Sequence, residues 1–196
     1  MEFLFKALNT PDGIFVWDRN WTPDKKHDIR VQLTAELDKR GWRSPKDELE
    51  DSPPYSPKFS ISISHSPAGG GFAVVPKPYQ VGLDLEDEKR LTEKITARVC
   101  QEGEMNDAPD WRHLFTAKEA VFKALWEREQ PATIAQIRIF DWAPVKGGYL
   151  FKAQTPAKNT TPHSSPIPNG MGLAMTQYGI RFAIFSVNFG PESADR

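Results

Sequence analysis

Cysteine is almost missing from this chain of 196 residues: Cys100 stands alone, so no intrachain disulfide can form. A reducing, cytoplasmic setting is the expectation that follows. An excess of charge is missing too, because 25 basic and 26 acidic side chains leave a net charge of −1. That balance argues against a polyanion-binding surface over the whole chain, and no nucleic-acid partner is expected, although a local basic pocket is compatible with it. No apolar run approaches the ~20 residues needed to span a bilayer, so no membrane partner is expected. Met1-Glu2-Phe3-Leu4-Phe5-Lys6 lacks the basic-then-apolar layout of a secretory leader. Neither a GxxxxGK[ST] loop nor a GxGxxG fingerprint occurs, which removes support for the usual nucleotide folds. His27, His113 and His163 do not combine with Cys100 at zinc-ligand spacing.

What is present is an ordinary globular composition, 39% hydrophobic and 26% charged. The length suits one large domain or two small halves, with enough chain to bury a core. Residues 1–17 contain Phe3-Leu4-Phe5 and Ile14-Phe15-Val16-Trp17 on either side of Asn9-Thr10-Pro11-Asp12-Gly13, which reads as a hairpin or strand pair. Ile29, Leu33 and Leu37 recur at steps of four, predicting an amphipathic helix over 24–42 that Gly41 helps to stop. Residues 44–58 read as a loop. Phe59 to Ser64 alternates strictly, as a strand with one buried face does. Gly69-Gly70-Gly71 reads as a turn into a second strand, Phe72 to Val75, and Pro76-Lys77-Pro78 as a link between halves. Downstream, strands are expected at 81–85, 134–142, 148–153, 173–178 and 180–187, the last two turning at Gly179. Helices are expected at 91–105 and 111–126. Residues 154–170 read as a mobile polar loop.

Chemistry concentrates in two segments. Asp84 and Glu86 are two apart in a strand and share a face, while Leu83 and Leu85 point the other way. Like charges on one face repel unless a cation separates them, and Mg²⁺ suits hard carboxylate oxygens. The plain alternative is that the strand ends at Asp84 and the acids, followed by Asp87 and Glu88, are solvated. Glu119 and Lys123 lie at i and i+4 on a helix, so they share a face. A surface ion pair of ~0.3–0.5 kcal/mol explains them equally well. So does a capping box over Thr116-Ala117-Lys118-Glu119. His65, in Ser64-His65-Ser66, stands just past a strand end, where it can donate to a phosphate oxygen or satisfy a loop backbone.

In order along the chain, Ile61-Ser62-Ile63-Ser64-His65-Ser66, Val81-Gly82-Leu83-Asp84-Leu85-Glu86 and Phe115 to Ala124 resemble three motifs of the 4′-phosphopantetheinyl transferase superfamily. These are its serine-histidine strand, its G-[IVL]-D-[IVL]-E metal motif and its W-[ST]-x-K-E-[AS]-x-x-K helix. Arg98 and Glu104 resemble a further pattern. The resemblance covers about residues 58–126 well and the ends more loosely. It implies an α+β fold of the surfactin-synthetase-activating type: two similar α+β halves related by a pseudo-twofold, over 1–77 and 78–196, with the site in the cleft between them. A monomer is implied.

The resemblance also implies an activity: transfer of 4′-phosphopantetheine from coenzyme A to a serine of an apo acyl or peptidyl carrier protein. Asp84, Glu86 and Glu119 would hold Mg²⁺. Glu119 would also serve as base, and Lys123 would neutralise the leaving phosphate. Ser64, His65, Lys118, Lys58 and Arg30 would bind coenzyme A, with Lys118 a helper near phosphate or carrier. A non-enzymatic coenzyme A- or carrier-binding module is the other expectation, and an unrelated metal-dependent phosphohydrolase a third. Phe115 stands where Trp is common, Ser62 where Asn is common, and Pro57-Lys58 reverses the usual Lys/Arg-Pro order.

Overall fold

A computed structural model describes residues 2–10, 12–21, 23–127, 130–156, 164–166 and 170–190. The chain opens with helix α1 (Glu2–Ala7), strand β1 (Ile14–Asp18), a 3₁₀ turn (Pro23–Lys25) and helix α2 (Lys26–Lys39). Strands β2 (Phe59–Ser66), β3 (Gly69–Pro76) and β4 (Tyr79–Asp87) follow. Short helices α3 (Glu93–Ala97) and α4 (Glu104–Asp107) lead into the longer α5 (Trp111–Ala124). A 3₁₀ turn (Ile134–Gln136) stands at the start of the strand expected over 134–142, and strands β5 (Arg138–Val145), β6 (Gly148–Pro156), β7 (Ser164–Pro166), β8 (Met171–Gln177) and β9 (Ile180–Asn188) complete the described chain. The fold is α+β. One antiparallel sheet runs β1-β3-β2, and a second runs β4-β9-β8-β6-β5 with β7 also on β6.

The strand periods sort the side chains into layers. In the first sheet, Ile14, Phe59, Ile61, Phe72 and Val74 face Ile29, Leu33 and Leu37 of α2, all three fully buried. Across the same strands, Phe15, Ala73 and Val75 face Val81, Leu83, Leu85, Phe182 and Ile184 of the second sheet. The opposite face of the second sheet, with Ala183, Phe185 and Val187, packs on Leu114, Ala117, Ala120 and Val121 of α5. The order is helix, sheet, sheet, helix, as expected when each apolar face needs a neighbour.

The serine positions of β2 are the surprise in this packing. Ser60, Ser62 and Ser64 are buried, and their hydroxyl oxygens accept from the backbone N–H groups of Val81, Leu83 and Leu85 at 3.0, 2.9 and 3.0 Å. The alternation of residues 59–64 therefore has two buried faces. The hydroxyl face stitches β2 to the edge of β4, satisfying three N–H groups that β9 does not pair.

Other expectations change as well. Phe3-Leu4-Phe5 belongs to α1, and β1 finds its partner in β3, with Ile14 opposite Val74. Phe5 and Leu8 bury themselves beside that sheet instead of extending as a strand. Gly69, Gly70 and Gly71 are strand residues; the turn is Pro67-Ala68. A Cβ on Gly70 would meet Ile29 Cδ1 at 2.6 Å, and one on Gly71 would meet the Val16 carbonyl oxygen at 2.6 Å, so close packing accounts for them. Of residues 91–105, only α3 and the start of α4 are helical. Within 154–170, residues 154–156 and 164–166 pair as strands; 157–163 and 167–169 lie outside the described residues, His163 among them. The helix at 26–39, the helix at 111–124 and the final hairpin agree with expectation, the hairpin turning on Tyr178-Gly179, both at positive φ. Among the described residues, no helix is long and apolar enough to cross a membrane.

Candidate functional site

The cleft that collects the site opens beside the serine seam, between α2 and α5, with a volume of about 650 Å³. Two elements supply its acids. β4 continues through Asp87, so Asp84 is not at a solvated strand end; it is 3% exposed. Its face of β4 also carries Gly82 and Glu86 and looks toward α5. Gly82 sets the spacing: a Cβ there would lie 1.8 Å from the carbonyl oxygen of Ala120 and 2.5 Å from the nitrogen of Ala124. Only a bare backbone lets α5 lie this close to β4. The helix then presents Glu119, Phe122 and Lys123 to the cleft, at i, i+3 and i+4, and Trp126 joins them from the turn just past its end.

The helix start disposes of the capping-box alternative. Asp110 is the N-cap, its carboxylate accepting from Arg112 N at 2.7 Å. Thr116 lies inside the helix, donating to the Arg112 carbonyl at 2.8 Å. Nor is Lys123 paired with Glu119 as a surface ion pair. Its Nζ stands 2.6 Å from Oδ1 of Asp84 and donates to Ser64 Oγ at 3.2 Å. Ser64 Oγ in turn lies 3.3 Å from the same carboxylate oxygen.

The electrostatics follow from crowding. Burial, and next the charge of Asp84, raise Glu86 to about 7. The same two causes, in the same order, raise Glu119. Asp84 Oδ2 is buried and has no hydrogen-bond partner among the described residues. An orphaned carboxylate oxygen beside two acids that resist ionisation is a place short of positive charge. The donors are hard oxygens and fit a cation such as Mg²⁺ in chemistry. As placed, Lys123 rather than a closed ligand set meets Asp84, and among the described residues no three His, Cys, Asp or Glu side chains are grouped to hold a metal ion.

Of the expected site residues, Ser64, His65, Asp84, Glu86, Glu119, Lys123 and Arg30 all line this one cleft. Arg30 reaches it while donating to the Leu49 carbonyl. Two residues do not. Lys58 is exposed just before β2 and is not part of the lining. Lys118 is fully buried on the far side of α5, where Nζ pairs with Glu104 Oε2 at 2.7 Å and donates to the Ile137 carbonyl. Glu104 also accepts from Gln101 N at 2.6 Å and Ile139 N at 2.7 Å. A contact from Lys118 to coenzyme A is corrected on that ground: the residue next to Glu119 points about 100° away around the helix, into the packing against β5.

Gln80, Phe122, Trp126 and Glu127 also line the cleft and were not singled out from sequence. The signal was available. Gln80 shares the period-two face of Asp84, and Phe122 and Trp126 share the helical face of Glu119 and Lys123. Gln80 is buried, and its Nε2 donates to Glu127 Oε2 at 3.4 Å, which Lys77 Nζ meets at 2.8 Å.

Fold and cleft together define an α+β protein with an acid-rich cleft walled by the edges of two sheets. No family model matches the chain, and no curated protein matches it.

Proposed function

We propose that this protein transfers 4′-phosphopantetheine from coenzyme A to a serine of an apo acyl or peptidyl carrier protein, releasing 3′,5′-ADP. The carrying observation is convergence: Asp84 and Glu86 from one strand, Glu119 and Lys123 from one helix and His65 from another strand line a single cleft. The motif resemblance supplies the reaction class; the convergence supports it, because a pyrophosphate donor needs cations and hard ligands in one place.

In this reading Asp84, through its unpartnered Oδ2, would hold Mg²⁺ together with Glu86 and Glu119. Bound there, Mg²⁺ would supply positive charge against the phosphates. Glu119, on the cleft-facing side of α5, would accept the proton of the carrier serine. The serine oxygen forms a bond to the β-phosphorus while the bond from that phosphorus to the bridging oxygen breaks. The electron pair leaves on 3′,5′-ADP. Lys123 delivers its ammonium to that leaving phosphate from Asp84, which holds it ready in the cleft. His65 and Arg30 are the groups on the wall available to donate to the remaining phosphate oxygens.

The test is a gain of one phosphopantetheine mass on a panel of apo carriers, with coenzyme A and Mg²⁺. Asp84→Asn should lower the rate by ~10²-fold or more. An Asp84→Asn rate equal to wild type would remove the acid from the mechanism. The alternative, a non-enzymatic coenzyme A- or carrier-binding module, would instead give calorimetric binding of coenzyme A with no mass gain on any carrier.

A further inference from the structure

A second polar cluster lies outside the cleft, where three elements meet. Arg181 on β9 is the register partner of Glu86 on β4, so both side chains rise on the face that α5 covers. Arg181 reaches to the start of α5. Its Nη2 donates to Glu88 Oε1 at 2.8 Å and to Asp110 Oδ2 at 3.2 Å. Its Nη1 donates to Thr176 Oγ1 at 2.6 Å and stands 2.5 Å from His113 Nε2. The Arg181 side chain is 12% exposed.

The partners are informative. Glu88 follows directly on β4, two residues past Glu86. Asp110 is the N-cap of α5, and His113 lies in its first turn. One planar guanidinium therefore ties the end of the strand that carries Asp84 and Glu86 to the start of the helix that carries Glu119 and Lys123. Farther along the helix, Gly82 lets α5 touch β4, and Lys123 Nζ bonds Asp84 Oδ1 at 2.6 Å. A tie near the end of the helix fixes one point of it, and a second tie at its start fixes the direction of its axis. Bonds from the Arg181 fork to Glu88 and Asp110 supply that second tie in a fixed geometry, which a point charge on a flexible stem does not.

We propose that Arg181 is a positioning residue that fixes α5 against β4 and so sets the relative placement of the cleft carboxylates and Lys123. The inference adds to the proposed transferase reading and rests on it for the Mn²⁺ and kinetic readouts, but not for amide exchange. Residues that orient a ligand set from behind typically change metal affinity or activity by ~10–100-fold when lost.

The experiment compares wild type with Arg181→Met, which keeps the stem, and Arg181→Lys, which keeps the charge. Three measurements are taken: Mn²⁺ affinity, amide exchange over residues 111–124, and transfer kinetics. The expected result is ~10–100-fold weaker Mn²⁺ binding in Arg181→Met. Faster exchange should extend beyond the first turn of α5. A fall in kcat with carrier KM near wild type, partly restored by excess divalent ion, should accompany it. Arg181→Lys should not restore either property. Faster unfolding or a lower Tm alone, with Mn²⁺ affinity and exchange over 111–124 unchanged in the folded protein, overturns the proposal. Should wild type neither bind Mn²⁺ nor transfer, the functional reading fails; unchanged exchange in Arg181→Met would then still overturn the positioning role, and faster exchange uphold it.

Discussion

Lys123 and Asp84 are 39 residues apart in sequence and 2.6 Å apart in space, joined where helix α5 crosses strand β4. Asp84 is almost fully buried, while the Lys123 side chain is about one-third exposed, at 32%. The pair is therefore half in and half out of solvent. The ammonium neutralises a buried carboxylate and still faces the cleft.

That pair depends on a glycine. Gly82→Ala would put a methyl group into the Ala120 carbonyl, and the neighbour there is backbone. The helix must shift. Overpacking of this kind costs about 1–3 kcal/mol. A displacement of ~1 Å at a reacting group lowers a rate by ~10²-fold. Chemical denaturation and the transfer assay on the same preparation should report both losses. Wild-type transfer by Gly82→Ala would mean that the contact of α5 with β4 does not position the cleft.

The serine seam makes a second prediction. Ser62→Ala removes the acceptor for Leu83 N–H and leaves a buried donor unpaired, at a cost of about 1–3 kcal/mol. Ser62→Val should be at least as damaging, since it adds apolar volume and still accepts nothing. Urea unfolding of the two variants should order them in that way. A loss below experimental error in Ser62→Ala would mean that water takes the place of the hydroxyl.

The buried pair Lys118–Glu104 should behave asymmetrically. Lys118→Met alone leaves Glu104 charged and buried, and should destabilise by about 3–5 kcal/mol. Folded Lys118→Met should keep its transfer rate, since Lys118 is absent from the cleft wall. A rate loss in the folded variant greater than its loss of stability explains would return Lys118 to the site.

His113 supplies a pH dependence. Burial first, and the Arg181 charge second, lower its imidazole from 6.5 to about 4. Arg181, Asp110, Glu88, Thr176 and the Tyr149 ring are its neighbours. Between those two values the unfolded chain holds a proton that the folded chain does not, so stability falls as pH drops from 6.5 toward 4. The full window corresponds to about 3 kcal/mol. In His113→Gln this part of the acid sensitivity should vanish, read as a smaller difference between unfolding free energies at pH 7 and pH 4.5. An identical pH dependence in the two proteins would contradict the buried neutral imidazole.

Period and spacing made much of this molecule legible in advance. Ile29, Leu33 and Leu37 announced α2, the alternation at Phe59 to Ser64 announced β2, and Asp84 with Glu86 shared the face that their spacing requires. What sequence did not disclose was each element's partner. The alternating serines have the pattern of a solvated face and are buried, because the opposing layer is a strand edge rich in N–H groups. Phe3-Leu4-Phe5 could satisfy a strand or a helix; β1 already has β3, and the remaining apolar surface favours a helix. Lys118 and Glu119 are adjacent, and either could serve a phosphate site, the lysine directly and the glutamate through a cation. Only the rotation of α5, set by Ala117, Ala120 and Val121 in its core face, decides that Glu119 enters the cleft and Lys118 does not.

β2 and β4 are each the outermost strand of their own sheet. An outermost strand carries a row of main-chain groups that can recruit another chain and seed aggregation. By turning three hydroxyls of β2 onto three edge amides of β4, the chain hides that edge of β4 from strangers. The same stitching that walls the cleft is thus a guard against intermolecular sheet growth.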